Sequence, residues 1–191
     1  MGYKVITPVV LAAIIALAKL QTQCKVDVLG DGTSAQDDRI STAFAAAREY
    51  AEHYTQRAIG VQTLELALDS FPDAGIELPL GAASISSIKY IDAALAEQTI
   101  AINGYTLDDY SLKHWALPAG VWPTPAAVAN AVKVRYITPA AVPAAVTQAL
   151  LLLTAHFFEN QQAVLVGSSL SAVEVPLGAK SLLDTVRHWG L

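Results

Sequence analysis

The apolar residues of this chain repeat first with a helical period, then with a period of two, then again with a helical period, and that order restricts the fold more than any motif does. Ile40, Phe44, Ala47, Ala51 and Tyr54 recur at alternating steps of four and three, which is one stripe of a helix over about 35–57. Asp37 and Asp38 fall in its first turn, where the positive end of the helix dipole favours carboxylates. Arg39, Glu49, Glu52 and Gln56 lie on the other side and read as a solvated face, and the i,i+4 pairs Arg48/Glu52 and His53/Arg57 read as solvated or interfacial. From Val61 the period is two. Leu64, Leu66 and Leu68 alternate with Glu65, Ala67 and Asp69, and a last strand alternates Val132, Val134 and Tyr136 with Lys133 and Arg135. Between them the expectation is short strands at 76–80 and 84–92, and a hairpin of 99–102 with 105–107 around Asn103-Gly104, a dipeptide suited to a type I′ turn. The segment 114–127, with Trp115, Pro118, Gly120, Trp122, Pro123 and Pro125, reads as an irregular loop.

The helical period returns at Pro143. Over 143–161 apolar residues occupy nearly every side, so this helix must be covered from several directions, in part by neighbouring subunits. A final helix over 179–189 places Leu182, Leu183, Val186 and Trp189 on one side. The resulting expectation is an α+β fold. It is mainly a helical bundle, with helices near 9–20, 35–57, 143–161 and 179–189, and it carries an antiparallel β insertion at about 61–136 within a single domain, 1–191.

Two uncharged runs raise the question of a membrane. Val5 to Ala18 follows a single basic residue, Lys4, and contains Pro8, so a secretory signal is weaker than a core helix entered through a first-turn proline. The run 137–158 is broken by Pro139, Pro143, Gln148 and His156, and its helical part falls short of the ~20 residues a spanning helix needs. No membrane association is expected.

Composition excludes several classes of function. The 12 Lys and Arg against 17 Asp and Glu leave a net charge of −5, the wrong sign for a domain that grips nucleic acid by neutralising phosphates. A 53% hydrophobic content is too high for disorder. Cys24 is the sole cysteine, which leaves no intramolecular disulfide and no thiolate zinc site, and the histidines at 53, 114, 156 and 188 form no local ligand pair. No metal and no cofactor is expected.

The strongest enzymatic lead is Gly30-Asp31-Gly32-Thr33-Ser34-Ala35, a G-x-G-x-x-A pattern before a helix, as in a dinucleotide-binding turn. Asp31, Asp37 and Asp38 surround the spot where an anion would sit, and Asp69, the carboxylate for the ribose, comes too late in the chain, so a plain turn and helix cap is preferred. Gly167-Ser168-Ser169-Leu170-Ser171 lacks the second glycine of a nucleophile elbow. His156 sits among apolar residues and reads as a core histidine rather than a general base. No catalytic residue is expected. The tryptophans lack interleaved cations for base stacking and read as core residues or interface anchors. Trp115, Trp122, Arg187, Trp189 and Leu191 are the expected oligomer or partner contacts.

The order of several segments then resembles a known family. Gln36-Asp37-Asp38-Arg39-Ile40 is followed by Arg48-Glu49-Tyr50-Ala51-Glu52-His53-Tyr54-Thr55-Gln56-Arg57, then by Gln62-Thr63-Leu64-Glu65-Leu66 with Asp69-Ser70-Phe71-Pro72. Ile76-Glu77-Leu78-Pro79, Ser87-Ile88-Lys89-Tyr90-Ile91-Asp92, His156-Phe157-Phe158-Glu159-Asn160, Pro176-Leu177-Gly178 and Arg187-His188-Trp189 complete the set. Together they resemble the head–tail connector (adaptor) proteins of long-tailed bacteriophages and prophages, over essentially the whole chain. The chain departs from the family where Gln56 replaces a common glycine and where Ile137-Thr138-Pro139 replaces an Ala-Gly-Tyr-like turn. The resemblance implies a non-enzymatic structural protein, made in the bacterial host cytoplasm and located at the head–tail junction of the virion. It further implies a homo-oligomeric, dodecameric ring between the portal protein and a tail-completion or neck protein, with DNA passing through its channel without sequence-specific binding. The alternatives are a small nucleotide-binding enzyme using the Gly30–Ala35 turn, or a secreted or envelope protein with an N-terminal signal.

Overall fold

A computed structural model describes residues 2–111, 113–160 and 176–187. The fold is α+β and divides into two compact units, one of strands and one of helices. The strand unit takes in Gly60–Ala140 and the N-terminal segment up to Val9; the helical unit takes in Val10–Ile59 and the chain from Ala141.

In the strand unit, β1 (Gly2–Thr7), β2 (Thr63–Leu68), β4 (Ser84–Ile91), β5 (Glu97–Thr99) and β8 (Val132–Ile137) form an antiparallel sheet in the order β1-β2-β8-β4-β5. A second antiparallel sheet of β3 (Ile76–Leu78), β6 (Tyr105–Asp108) and β7 (His114–Pro118) has the order β3-β7-β6. Alternation on β2 and β8 sends Leu64, Leu66, Val132, Val134 and Tyr136 into the core, where they meet Ile76, Leu78, Ile88 and Ala116. Burial pushes the Tyr136 hydroxyl well above the usual phenol range, and that hydroxyl donates to Pro79 O at 2.9 Å. Thr138 is also buried and closes the start of β2: its Oγ1 donates to Gly60 O at 2.9 Å and accepts from Gln62 N–H at 2.9 Å.

The helical unit contains α1 (Leu17–Cys24), α2 (Asp37–Thr55), α3 (Ala144–Glu159) and α4 (Leu177–Asp184). The α2 stripe read from sequence is the buried one, with Ile40, Phe44, Ala47 and Ala51 all in the core. The nearly all-round apolar α3 is packed by α1, α2 and α4 of the same unit, with Leu152 and Phe157 left partly buried. Burial is the main reason the Cys24 thiol titrates above its ordinary range.

Several sequence expectations need correction. The helix near 9–20 is replaced by a short 3₁₀ turn at Leu11–Ala13 and by α1, which begins at Leu17 and runs to Cys24; ahead of it, Gly2–Thr7 forms a strand that was not expected, because β2 offers an edge whose backbone groups it satisfies by pairing. The hairpin at Asn103-Gly104 does not form: Glu97–Thr99 pairs with β4, whereas Tyr105–Asp108 pairs with β7 in the other sheet, and Ile102–Gly104 is a 3₁₀ turn. The segment 114–127 is not wholly irregular, since its first five residues are β7, held between β3 and β6. The last helix spans Leu177–Asp184 rather than 179–189, with Pro176 supplying its entry.

Arg48 and Glu52 also leave the solvated positions expected of them, whereas Arg39 stays exposed. Arg48 is buried, donates from Nε to Ile59 O at 3.0 Å and pairs with Glu52 Oε2 at 2.6 Å, and that same oxygen accepts from Ile59 N–H at 2.9 Å. This closed circuit fixes the chain as it leaves α2. Arg39 lies over the Phe158 ring at 4.1 Å and donates to Phe158 O at 2.5 Å, satisfying one of the end carbonyls of α3. Gln56 stands in the left-handed region at φ 55° as the residue that ends α2, which is the conformation a glycine adopts without cost.

Candidate functional site

The five expected contact residues have different fates. Trp115 is half-buried in the middle of β7, opposite Glu77 of β3 and Asp108 of β6, on the strand face away from the buried Ala116. Trp122 stacks on Phe71 with centroids 4.8 Å apart and planes 13° apart, and Phe71 meets Tyr90 edge-on. The pair walls a groove of about 320 Å³ lined also by Ser70, Asp73, Pro118 and Pro123. The Trp122 indole N–H is buried within the strand unit and has no hydrogen-bond partner. Arg187 belongs to the helical unit, its guanidinium 4.6 Å over the Tyr54 ring. Tyr54 donates its hydroxyl to Asp184 at 2.7 Å, and that bond is the main cause of its raised pKa. Trp189 and Leu191 lie outside the described residues, as does the serine-rich stretch 167–171.

A charged surface that the sequence reading did not single out lies on the outward face of the five-stranded sheet. Register brings it together. Lys4 faces Glu65, Glu65 faces Arg135, Arg135 faces Ser87, and Lys133 faces Lys89. Glu65 is clamped from both sides, with Lys4 Nζ at 3.2 Å from one oxygen and Arg135 Nη2 at 2.6 Å from the other. The hydrogen bond from Arg135 is the largest reason its carboxyl stays charged below the ordinary 4.5. Lys89 pairs with Glu97 at 2.7 Å and lowers the Glu97 pKa in the same way. Glu65, Ser87, Lys89, Glu97, Lys133 and Arg135 together line a depression of about 190 Å³. On each strand the alternation of charge was legible; that the cations of β1, β4 and β8 share one face depends on strand order and register.

Two exposed apolar side chains were also missed. Ile102 is 82% exposed and Val121 97% exposed, on turns tied together by Ala119 N–H donating to Gly104 O at 3.0 Å. Single exposed apolar residues carry no sequence signal, because nothing in a local pattern separates them from core residues.

The Gly30–Ala35 turn is occupied by its own side chains. Asp31 accepts from the Thr33 N–H at 3.0 Å and from its hydroxyl at 2.7 Å, which lowers the Asp31 pKa. Asp37 accepts from Ser34 N–H at 2.9 Å and from Gln21 Nε2 at 2.8 Å. The element leading into the turn is the helix α1 and not a strand, so the strand–turn–helix geometry of a dinucleotide site is missing, and the Thr33 and Ser34 amides donate to carboxylates. His156 is half-buried in the last turn of α3 beside Phe157, with Asn160 Nδ2 3.4 Å from its Nδ1. Among the described residues no group of three or more His, Cys, Asp or Glu could hold a metal ion, and no helix is long and apolar enough to cross a membrane.

No protein-family model and no curated protein matches the sequence. Solved structures do match over the full length. A chain from the virion of a native gene transfer agent particle superimposes with a TM-score of 0.79 at 20% identity, covering 100% of this chain and 97% of that one. A chain from the neck of the empty particle, computed with C6 symmetry, gives 0.77 at 21% identity with the same coverage. A chain from the neck of the native particle, computed with C12 symmetry, gives 0.72 at 20% identity, again over 100% and 97% of the two chains. The chain therefore has the fold of proteins built into such particles.

Proposed function

We propose that the chain is a structural neck protein of a phage-like particle, located at the head–tail junction and acting there as the head–tail connector (adaptor). The observation that carries this reading is the full-length match to a chain of a gene transfer agent neck computed with C12 symmetry. The ordered connector-like segments from Gln36 to Trp189 support it independently of the fold comparison. In this reading twelve copies form a ring under the portal protein, offer their far side to a tail-completion or neck protein, and enclose a channel through which DNA passes without sequence-specific contacts. The net charge of −5 per copy suits a wall that DNA slides past, since few phosphates would be neutralised. The reading also treats the two compact units as one connector domain with the β part inserted. A non-enzymatic role fits the Gly30–Ala35 turn, whose amides are consumed by Asp31 and Asp37.

The test is solution mass by native mass spectrometry and light scattering over a wide concentration range, with negative-stain images. The expected result is a closed ring of twelve 20.2 kDa copies, roughly 240 kDa, with a central hole. A 20.2 kDa species at every concentration, alone and mixed with portal rings, would overturn the proposal.

A further inference from the structure

The side-chain charges of the strand unit are unevenly distributed. Five cations against eight carboxylates leave that unit at −3, yet the outward-facing residues within the strands of its five-stranded sheet are Lys4, Lys89, Lys133 and Arg135 against Glu65 and Glu97, a surplus of +2. The rest of the unit holds Lys113 against six carboxylates, a balance of −5. Lys113 is itself paired with Glu77 at 3.1 Å, which leaves Asp69, Asp73, Asp92, Asp108 and Asp109 as the acidic surplus.

Lys133 marks where the positive surplus lies. It is exposed, it stands directly across from Lys89, and its counter-charge is Glu97, which already bonds Lys89 at 2.7 Å, so two lysines share one carboxylate. Like charges directly opposite on neighbouring strands destabilise a sheet, so this arrangement costs the isolated unit stability that an incoming carboxylate would return. The depression of about 190 Å³ beside Lys89, Lys133 and Arg135 has room for such a group.

We propose that this sheet face docks against the acidic remainder of the same unit in a second copy of the chain, as the head-to-tail contact of the ring; the proposal rests on the connector reading above. A ring contact is heterologous and needs two unlike, complementary faces on each subunit, and one unit here carries both signs. A nucleic-acid backbone fits the face less well. Its evenly spaced phosphates would meet Glu65 and Glu97, which Lys4, Arg135 and Lys89 hold in the charged form, whereas the separate carboxylates of a protein surface can fall between them.

The experiment uses the full chain and Lys133→Glu, a substitution at an exposed residue whose only loss within the chain is a longer-range attraction to Glu97, with circular dichroism confirming an unchanged fold. Assembly is followed by native mass spectrometry and sedimentation at about 50 mM and about 500 mM NaCl. The expected results are wild-type association that weakens with salt and at least a ~10-fold loss of association in Lys133→Glu. In a mixture of isotopically light and heavy protein, carbodiimide should join Lys133 or Lys89 to one of the five surplus aspartates of another copy. A wild-type ring unaffected by Lys133→Glu overturns this contact and leaves the connector reading standing. An unaffected ring with weakened retention of duplex DNA at low salt assigns the face to DNA and overturns it as well. A wild type that never associates removes the ring, and this contact with it.

Discussion

Removing the Arg48 head group tests the buried circuit at the end of α2. Arg48→Met keeps the apolar stem in the core and deletes the guanidinium, so the loss is confined to what that group bonds. Ile59 O loses its donor, at about 1–3 kcal/mol for an acceptor left unsatisfied away from water. Glu52 keeps the Ile59 N–H but loses the Arg48 guanidinium, with its side chain only 15% exposed. Breaking a buried ion pair from one side costs about 3–5 kcal/mol, and the residual exposure of Glu52 places this pair at the low end. The two losses share one group and do not add, so the expected cost is about 3 kcal/mol. With a urea slope of about 2 kcal/mol per molar, the unfolding midpoint followed by far-UV circular dichroism falls by about 1.5 M. Glu52→Gln should cost less, about 1–2 kcal/mol, because the amide oxygen still accepts from Ile59. In the double variant the two effects should fall short of their sum by about 1 kcal/mol or more. A cost below about 1 kcal/mol for Arg48→Met, with strict additivity in the double variant, would mean the pair is solvated after all and would refute the circuit.

Three further outcomes follow from single positions. Gln56→Gly should raise stability by about 0.5–1 kcal/mol in the same urea assay, since glycine takes φ 55° without strain and only the exposed bond from Gln56 Nε2 to His53 O is lost; a loss of stability would contradict the strained-cap reading. Thr138→Val removes the hydroxyl that joins Gly60 O to Gln62 N–H and should cost about 1–3 kcal/mol, with no effect expected only if water replaces it. The folded-state pKa of Glu65 is depressed, so its ion pairs stabilise the fold above 4.5 and that stability is lost as pH falls through the lower folded value. Thermal melts from neutral pH down to about pH 3 should therefore fall more steeply for the wild type than for Glu65→Gln, and parallel curves would contradict this.

The class of fold and most of the core are legible in the order of the residues. Period alone places Ile40, Phe44, Ala47 and Ala51 inside a helix, and Leu64, Leu66, Val132 and Val134 inside a sheet, because which side of an element is buried is a local property of spacing. The all-round apolar character of α3 likewise announced a helix covered on several sides. Of the candidate site, the tryptophans of 115–122 and the terminal Arg187 were visible as residues without visible surroundings: the stack on Phe71 and the seat over Tyr54 join positions 51 and 133 residues apart. The tertiary structure alone decided the remainder. Gly2–Thr7 became a strand because β2 presented an open edge, and Asn103-Gly104 failed as a hairpin because its flanking strands found partners in different sheets. Arg48 is a surface residue by helical pattern and a buried one only because the chain after α2 folds back over it. The charged sheet face exists only in the register that aligns β1, β2, β8 and β4, since slipping one strand by a residue sends its cations to the opposite side. Periodicity is written in neighbours along the chain, whereas strand partners, buried ion pairs and surface fields are set by residues that meet only after folding, where pairing energy and desolvation outweigh local preference.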